Sequence, residues 1–342
     1  MAPQIVVASP PMRRTSFSAV TVLSCLVLAA CGGSSADSAP GGAGGEAGGG
    51  QGGQGGSGGV APTITFECPA GAQLTSGLNQ GFAVGAQTRK FYVDYPSDTS
   101  HPLPVVFSWH GFGDTAANFR NLLDANGDPS FPFILVTPES TQLFPPAGME
   151  WEIFNGAASA ANGDAALFEA VLGCLAKSSD VDATRIYSIG FSAGAIFTNL
   201  MHSRYPHVLA ATLAYSGAWF DDQAEVAKVN TLGLSVNFDW DALVPADGGT
   251  VVVTHGGVND AYGLNASIKI IDFEQSTALA VPFLKDGGRT VVSCAHKNGH
   301  QPHPQVGPDM VTHFFHDHTL GAPSPYATSG LDGSWPASCT LE

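Results

Sequence analysis

The chain has 342 residues, with 13 Lys and Arg against 29 Asp and Glu, and a formal net charge of −16 at pH 7. So acidic a surface argues against nucleic acid and anionic membrane surfaces as electrostatic partners, and it serves solubility. With the first 59 or so residues set aside as targeting and tether sequence, the remaining residues, about 280, suit one large α/β domain that can bury its own core.

The N-terminus reads as an address. Met12-Arg13-Arg14 supplies positive charge, and Phe17 to Leu28 is an apolar stretch too short for a spanning helix. Met12 suffices as a start, because residues 1–11 add nothing a signal needs, and Met1 stays open as the alternative. The stretch ends in Leu28-Ala29-Ala30-Cys31-Gly32, which resembles the lipobox of bacterial lipoproteins. That resemblance implies a signal peptide over 1–31, cleaved just before Cys31, and a diacylglycerol on the Cys31 thiol. An ordinary cleaved signal peptide is the competing reading. Residues 32–62 follow as a Gly-rich tether, and its densest part, 40–59, has a mean reach of about 25 Å. The protein is thus expected outside the cytoplasm, touching a membrane only through its lipid. The even set Cys68, Cys174, Cys294 and Cys339 is expected to form disulfides there. Of the three possible pairings, Cys68–Cys174 with Cys294–Cys339 is favoured, because the second bond would pin the C-terminal tail.

From residue 63 to 342, strand and helix patterns alternate. Strands are predicted at Phe91–Tyr95, Val105–Trp109, Phe133–Val136, Arg185–Ile189, Leu209–Tyr215, Val251–Val253 and Thr290–Val292. Several are continuous apolar runs, as in strands covered on both faces. Helices are predicted at Ala165–Lys177, Ala193–Tyr205, Phe273–Leu284 and Asp309–His318. The alternation predicts a mostly parallel central sheet with helices on both faces.

Gly190-Phe191-Ser192-Ala193-Gly194 fits the G-x-S-x-G nucleophile elbow, in which a strand turns sharply into a helix and the Ser side chain stands above the sheet. The strand ending at Ile189 and the helix from Ala193 supply that context. His110-Gly111-Phe112-Gly113 follows a predicted strand directly, where a loop can give a backbone N–H to an oxyanion hole. Phe112 is taken as that donor, with Gly111 as the rival, and Ala193 as the second donor. The acid should follow the Ser and the His should come last. Asp260, just past the strand ending at Val253, is the expected acid. Asp239, Asp241 and Asp247 precede that strand and are the rivals. His300, after the strand at Thr290 and presented by Gly299, is the expected base, with His296 and His303 as rivals. Trp151 and Trp219 fall in predicted loops. Trp219 at a strand end is placed to line an acyl or sugar pocket, and packing is the alternative for both. His313, His316 and His318 do not share one helical face, so no metal is assigned.

The set HGFG, GFSAG, GGVND and CAHKNGHQPHP, with Phe314-Phe315, resembles the secreted esterases grouped with poly(3-hydroxybutyrate) depolymerases, feruloyl esterases and acetyl xylan esterases. The resemblance covers roughly residues 66–342. It implies an α/β-hydrolase fold with a minimal lid and a Ser192–His300–Asp260 triad acting through an acyl-enzyme. It also implies no cofactor, and a monomer acting on carboxylic esters, polymeric ones included. Where members often carry G-x-x-D-x-x-V-P, this chain reads Gly257-Val258-Asn259-Asp260-Ala261-Tyr262-Gly263. A serine peptidase and a surface-binding lipoprotein on a hydrolase scaffold are the alternative functions.

Overall fold

The computed structural model describes residues 62–141, 150–154, 162–230, 238–245, 248–265 and 268–342. Cys31, the signal and almost all of the tether, and the rival carboxylate Asp247 lie outside the described residues.

The strands are β1 (Gly77–Val84), β2 (Gln87–Asp94), β3 (Leu103–Trp109), β4 (Ile134–Pro138), β5 (Val181–Phe191), β6 (Ala211–Tyr215), β7 (Thr250–His255), β8 (Ala261–Asn265), β9 (Ile268–Asp272), β10 (Thr290–Ala295) and β11 (Cys339–Leu341). Nine of them form one sheet in the order β1-β2-β4-β3-β5-β6-β7-β10-β11, and β8 and β9 pair as a separate hairpin. From β4 through β10 every neighbouring pair is parallel; β1, β2 and β11 add antiparallel edges. This is the α/β-hydrolase arrangement expected from the sequence.

Helices α1 (Ala116–Phe119), α2 (Gly163–Ser178), α3 (Ala193–Arg204), α4 (Gln223–Asn230), α5 (Phe273–Asp286), α6 (Pro308–His316) and α7 (Tyr326–Ser329) complete the domain. The central strands carry apolar side chains on both faces because they feed two cores with period 2. Val105, Phe107 and Trp109 of β3 enter one core with Phe168, Leu172, Phe197 and Phe273 of the helices. Val106 turns to the other face, which Val311, Phe314 and Phe315 of α6 help cover.

Helix α2 starts cleanly because the Asn162 side chain accepts the N–H groups of Asp164 and Ala165. Its first turn is held to the sheet by a buried ion pair between Arg89 of β2 and Asp164. Two disulfides are present, Cys68–Cys174 and Cys294–Cys339. The first ties the segment before β1 to α2. The second joins β10 to β11, so that Glu342 follows a strand held on the edge of the sheet.

Candidate active site

Ser192, Asp260 and His300 each sit just beyond the C-terminal end of a parallel strand, β5, β7 and β10, so register alone collects them on one rim. Ser192 occupies the junction of β5 and α3 with φ 55° and ψ −117°. That left-handed backbone costs a non-Gly residue about 1–3 kcal/mol and persists only where neighbours over-determine it. Here the Ser192 N–H donates to the Tyr215 carbonyl at 2.9 Å, and the Ser192 carbonyl accepts from Ile196 at 3.0 Å to start α3. The glycines on either side are a packing requirement. A side chain on Gly194 would collide with the Trp109 and His110 carbonyls, and one on Gly190 with the Gly194 backbone.

The three side chains are wired in series. Ser192 Oγ lies 2.8 Å from His300 Nε2, and His300 Nδ1 lies 2.6 Å from Asp260 Oδ1. Asp260 is fully buried, and its second oxygen accepts from the Gly256 N–H at 2.6 Å and from the Ser216 hydroxyl at 2.8 Å. A carboxylate with three donors is stabilised as the anion. It therefore favours the His300 tautomer with the proton on Nδ1 and the lone pair on Nε2, facing the Ser hydroxyl. The His300 ring is gripped by Phe273, stacked at 4.9 Å, and Phe191 at 4.8 Å. The loops carrying acid and base are joined by Gly299 N–H to the Gly256 carbonyl at 3.0 Å and His296 N–H to the His255 carbonyl at 2.9 Å.

The His110–Gly113 loop lies over the same elbow, with the Gly111 Cα so close that a Cβ there would stand 2.9 Å from the Phe191 ring. The His110 Nε2 accepts the Ser140 N–H at 3.2 Å, so its Nδ1 carries the proton that the Gly111 carbonyl accepts at 2.9 Å. Across the elbow, the Ala193 N–H belongs to the first turn of α3, where amides have no carbonyl of their own helix.

The rival residues are engaged elsewhere. Asp241 pairs with Arg204 at 3.4 Å and Asp239 is exposed. His303 bonds the Ser338 hydroxyl at 3.1 Å, and His296 Nδ1 accepts the Asn298 N–H at 3.2 Å. The two tryptophans expected at a pocket are corrected by burial. Trp151 is 0 % exposed and packs edge-on against Trp109, and Trp219 is 1 % exposed beside the His202 ring. Both fill the core, so neither lines an open pocket. Each C-terminal His has its own partner: His313 has Asp332 at 2.9 Å, His316 the Phe131 ring, and His318 the Phe314 carbonyl at 2.7 Å and the Ser324 hydroxyl at 2.9 Å. His313, Asp317 and Asp332 bring ligand atoms within 4.8 Å of one another at the surface, and the contacts of the His313 ring with Asp332 at 2.9 Å and Asp317 at 3.5 Å account for that approach.

Two polar residues at the site were not singled out from sequence. Ser216 is buried, holds φ 56°, and bonds the acid. Glu150 is 6 % exposed at φ 70° and accepts the Gly113 N–H at 3.0 Å. A non-Gly residue in left-handed backbone leaves no trace in the sequence, since Gly or Asn would be the expected occupant.

A model of the family described as esterase PHB depolymerase matches residues 91–261, half of the chain. Acetylxylan esterase A of Emericella nidulans is 28 % identical over 130 residues, covering 37 % of this chain and 41 % of that protein. Feruloyl esterase B of Neurospora crassa is 29 % identical over 132 residues, covering 37 % and 44 %. The aligned part of the chain thus spans about two fifths of the length of these curated relatives. Among solved structures, native sOPH superposes with a TM-score of 0.62 at 20 % identity, covering 81 % of this chain and 97 % of the other. Native pOPH superposes at 0.58 with 20 % identity, covering 81 % and 96 %.

Proposed function

The chain belongs to the esterase PHB depolymerase family, and from that premise we propose that it is a carboxylic ester hydrolase working through a Ser192–His300–Asp260 triad. The observation that carries the reading is the unbroken series from Ser192 Oγ through the His300 ring to the buried Asp260 carboxylate, at 2.8 and 2.6 Å. Ser192 Oγ attacks the ester carbonyl while His300 Nε2 takes its proton. Asp260 holds the imidazole in orientation and stabilises the imidazolium. The N–H groups of Phe112 and Ala193 receive the charge that develops on the carbonyl oxygen. Collapse of the tetrahedral species releases the alcohol with the proton from His300. Water then attacks the acyl-enzyme by the same route and frees the acid. No step calls on a cofactor.

The substrates proposed are polyhydroxybutyrate-type polyesters or the feruloyl and acetyl esters of plant polysaccharides, classes named by the family and by the relatives. The two disulfides and the lipobox-like sequence support a site of action outside the cytoplasm, on a domain tethered through Cys31 by residues 32–62.

Ser192→Ala is the direct test. Hydrolysis of a short p-nitrophenyl ester is expected to drop by about 10⁴-fold or more, and labelling by a fluorophosphonate probe to vanish. Undiminished hydrolysis by the variant would sink the assignment. A panel of polyhydroxybutyrate, feruloyl and acetyl-xylan substrates then selects the acyl class.

A further inference from the structure

The proposed donor at Phe112 is a backbone amide, so its aim depends on the two peptide units around it. A trans peptide is planar, with its N–H opposite its carbonyl. The Gly111–Phe112 unit is anchored by its carbonyl, which accepts from His110 Nδ1 at 2.9 Å and from the Asp114 N–H at 3.2 Å. The Phe112–Gly113 unit is anchored by the Gly113 N–H, which donates to Glu150 Oε1 at 3.0 Å. The same carboxylate reaches back to the first anchor. Its Oε2 lies 3.5 Å from the Ser140 hydroxyl and 3.7 Å from His110 Nδ1. The next residue, Trp151, donates its indole N–H to the His110 carbonyl at 2.8 Å.

The segment at Glu150 is itself costly to hold. Glu150 is 6 % exposed and sits at φ 70°. Burying a carboxylate costs free energy unless it is hydrogen-bonded, and a left-handed backbone at a non-Gly residue adds to that cost. The mechanism proposed above gives this residue no part. Its contacts converge on one object, the loop that presents Phe112.

We propose that Glu150 is a positioning residue for the oxyanion loop, acting through Gly113 and His110 rather than on the substrate. The proposal rests on the reading of Phe112 as the oxyanion donor. Removing the carboxylate frees the Phe112–Gly113 peptide to rotate and takes the N–H beside it off target. The tetrahedral species feels that loss more than the planar ester does, so kcat falls and KM stays.

The test compares Glu150→Ala and Glu150→Gln with the full chain and with Ser192→Ala, on a short p-nitrophenyl ester. A donor removed outright costs about 10²–10³-fold in kcat, so a mis-aimed one is expected to cost roughly 30–100-fold in Glu150→Ala, with KM within about threefold. The affinity for a trifluoromethyl ketone, which forms a tetrahedral oxyanion adduct on the Ser, should fall in step with kcat/KM. Glu150→Gln keeps an oxygen for Gly113 and should lie between the Ala variant and the wild type. A folded Glu150→Ala with wild-type kcat overturns the proposal, as does a rise in KM at constant kcat. Should the Ala variant not fold, Glu150→Gln decides alone: a lower kcat at unchanged KM supports the proposal and a wild-type kcat overturns it. Failure of the functional reading looks different, because there the wild type is inactive or Ser192→Ala stays active, and both readings fall together.

Discussion

The rim of the domain and a region beneath it each bring together an Asp, a His and a Ser, and the two are wired differently. At the rim, Ser192, His300 and Asp260 stand in series, with the imidazole between hydroxyl and carboxylate. Deeper in the domain, near the C-terminal end of α3, Ser203 donates to Asp221 at 3.1 Å, and the neighbouring His202 is turned away from both. The His202 ring bonds the Thr212 hydroxyl at 3.1 Å, and its Nε2 accepts from the Arg289 guanidinium at 3.1 Å. Burial and that adjacent positive charge push the His202 imidazole down to about 3, so it stays neutral and has no lone pair free for a proton. Asp221 has one donated hydroxyl, and its other oxygen is buried without a hydrogen bond. Burial pushes it up to about 7. Asp260 is more deeply buried but has three donors. A carboxylate that is buried and bonded can hold its charge and orient a base. One that is buried and half-bonded tends to shed its charge. A cluster's composition does not make a site; the order of its hydrogen bonds does.

The sharpest way to break this comparison is to neutralise each carboxylate in turn. Asp260→Asn leaves the shape but favours the wrong His300 tautomer, and kcat for a p-nitrophenyl ester is expected to fall about 10⁴-fold. Asp221→Asn shares no hydrogen bond with the rim and should keep kcat within about twofold. Equal losses from the two substitutions would erase the distinction.

Stability is expected to separate the clusters in the opposite sense. The carboxyl of Asp221 binds a proton more tightly in the folded chain, where its value is about 7, than at its ordinary 3.8. Between those values the folded state holds more protons than the unfolded one, so stability falls as pH rises through the window and levels off above it. Asp221→Asn lacks this loss. The variant and the wild type should unfold alike near pH 4, and at pH 8 the variant should be the more stable, by on the order of 4 kcal/mol at most. Urea midpoints at the two pH values measure the gap. A gap of the same size at both would show that Asp221's proton is not its source.

What could be read from the sequence divides along the same line. The parallel strands were legible because their apolar runs are local and serve two cores. That Ser192, Asp260 and His300 would meet was legible because each lies in a turn beside its own strand, in a recognisable order. The edges were harder. Strand β1 reads GLNQGFAV, with a bulge between Gln80 and Phe82, and β11 has three residues held on the edge beside a disulfide. The hairpin of β8 and β9 has five-residue strands straight after Asp260, where no strand was predicted. Trp151 and Trp219 misled because a large amphipathic ring in a predicted loop looks like pocket lining until the packing is known. Ser216 and Glu150 escaped because they act on partners 44 and 37 residues away, and a Ser or a Glu carries no local mark of such a contact.

Ser216 permits the finest test of the wiring. Its hydroxyl donates to Asp260 Oδ2 at 2.8 Å, opposite the oxygen that holds His300. A hydrogen bond to a charged group contributes about 1.5–3 kcal/mol, so Ser216→Ala is expected to lower kcat/KM roughly 10–100-fold. The backbone offers a control, because Ser216 sits at φ 56°. Ser216→Gly removes the same hydroxyl but suits that conformation, so it should be more stable than Ser216→Ala by about 1 kcal/mol. If the hydrogen bond is what matters to the chemistry, the two variants differ in unfolding midpoint and agree in rate. If the Gly variant instead recovers the rate, it is the shape of the turn at Ser216, rather than its donated proton, that sets the acid.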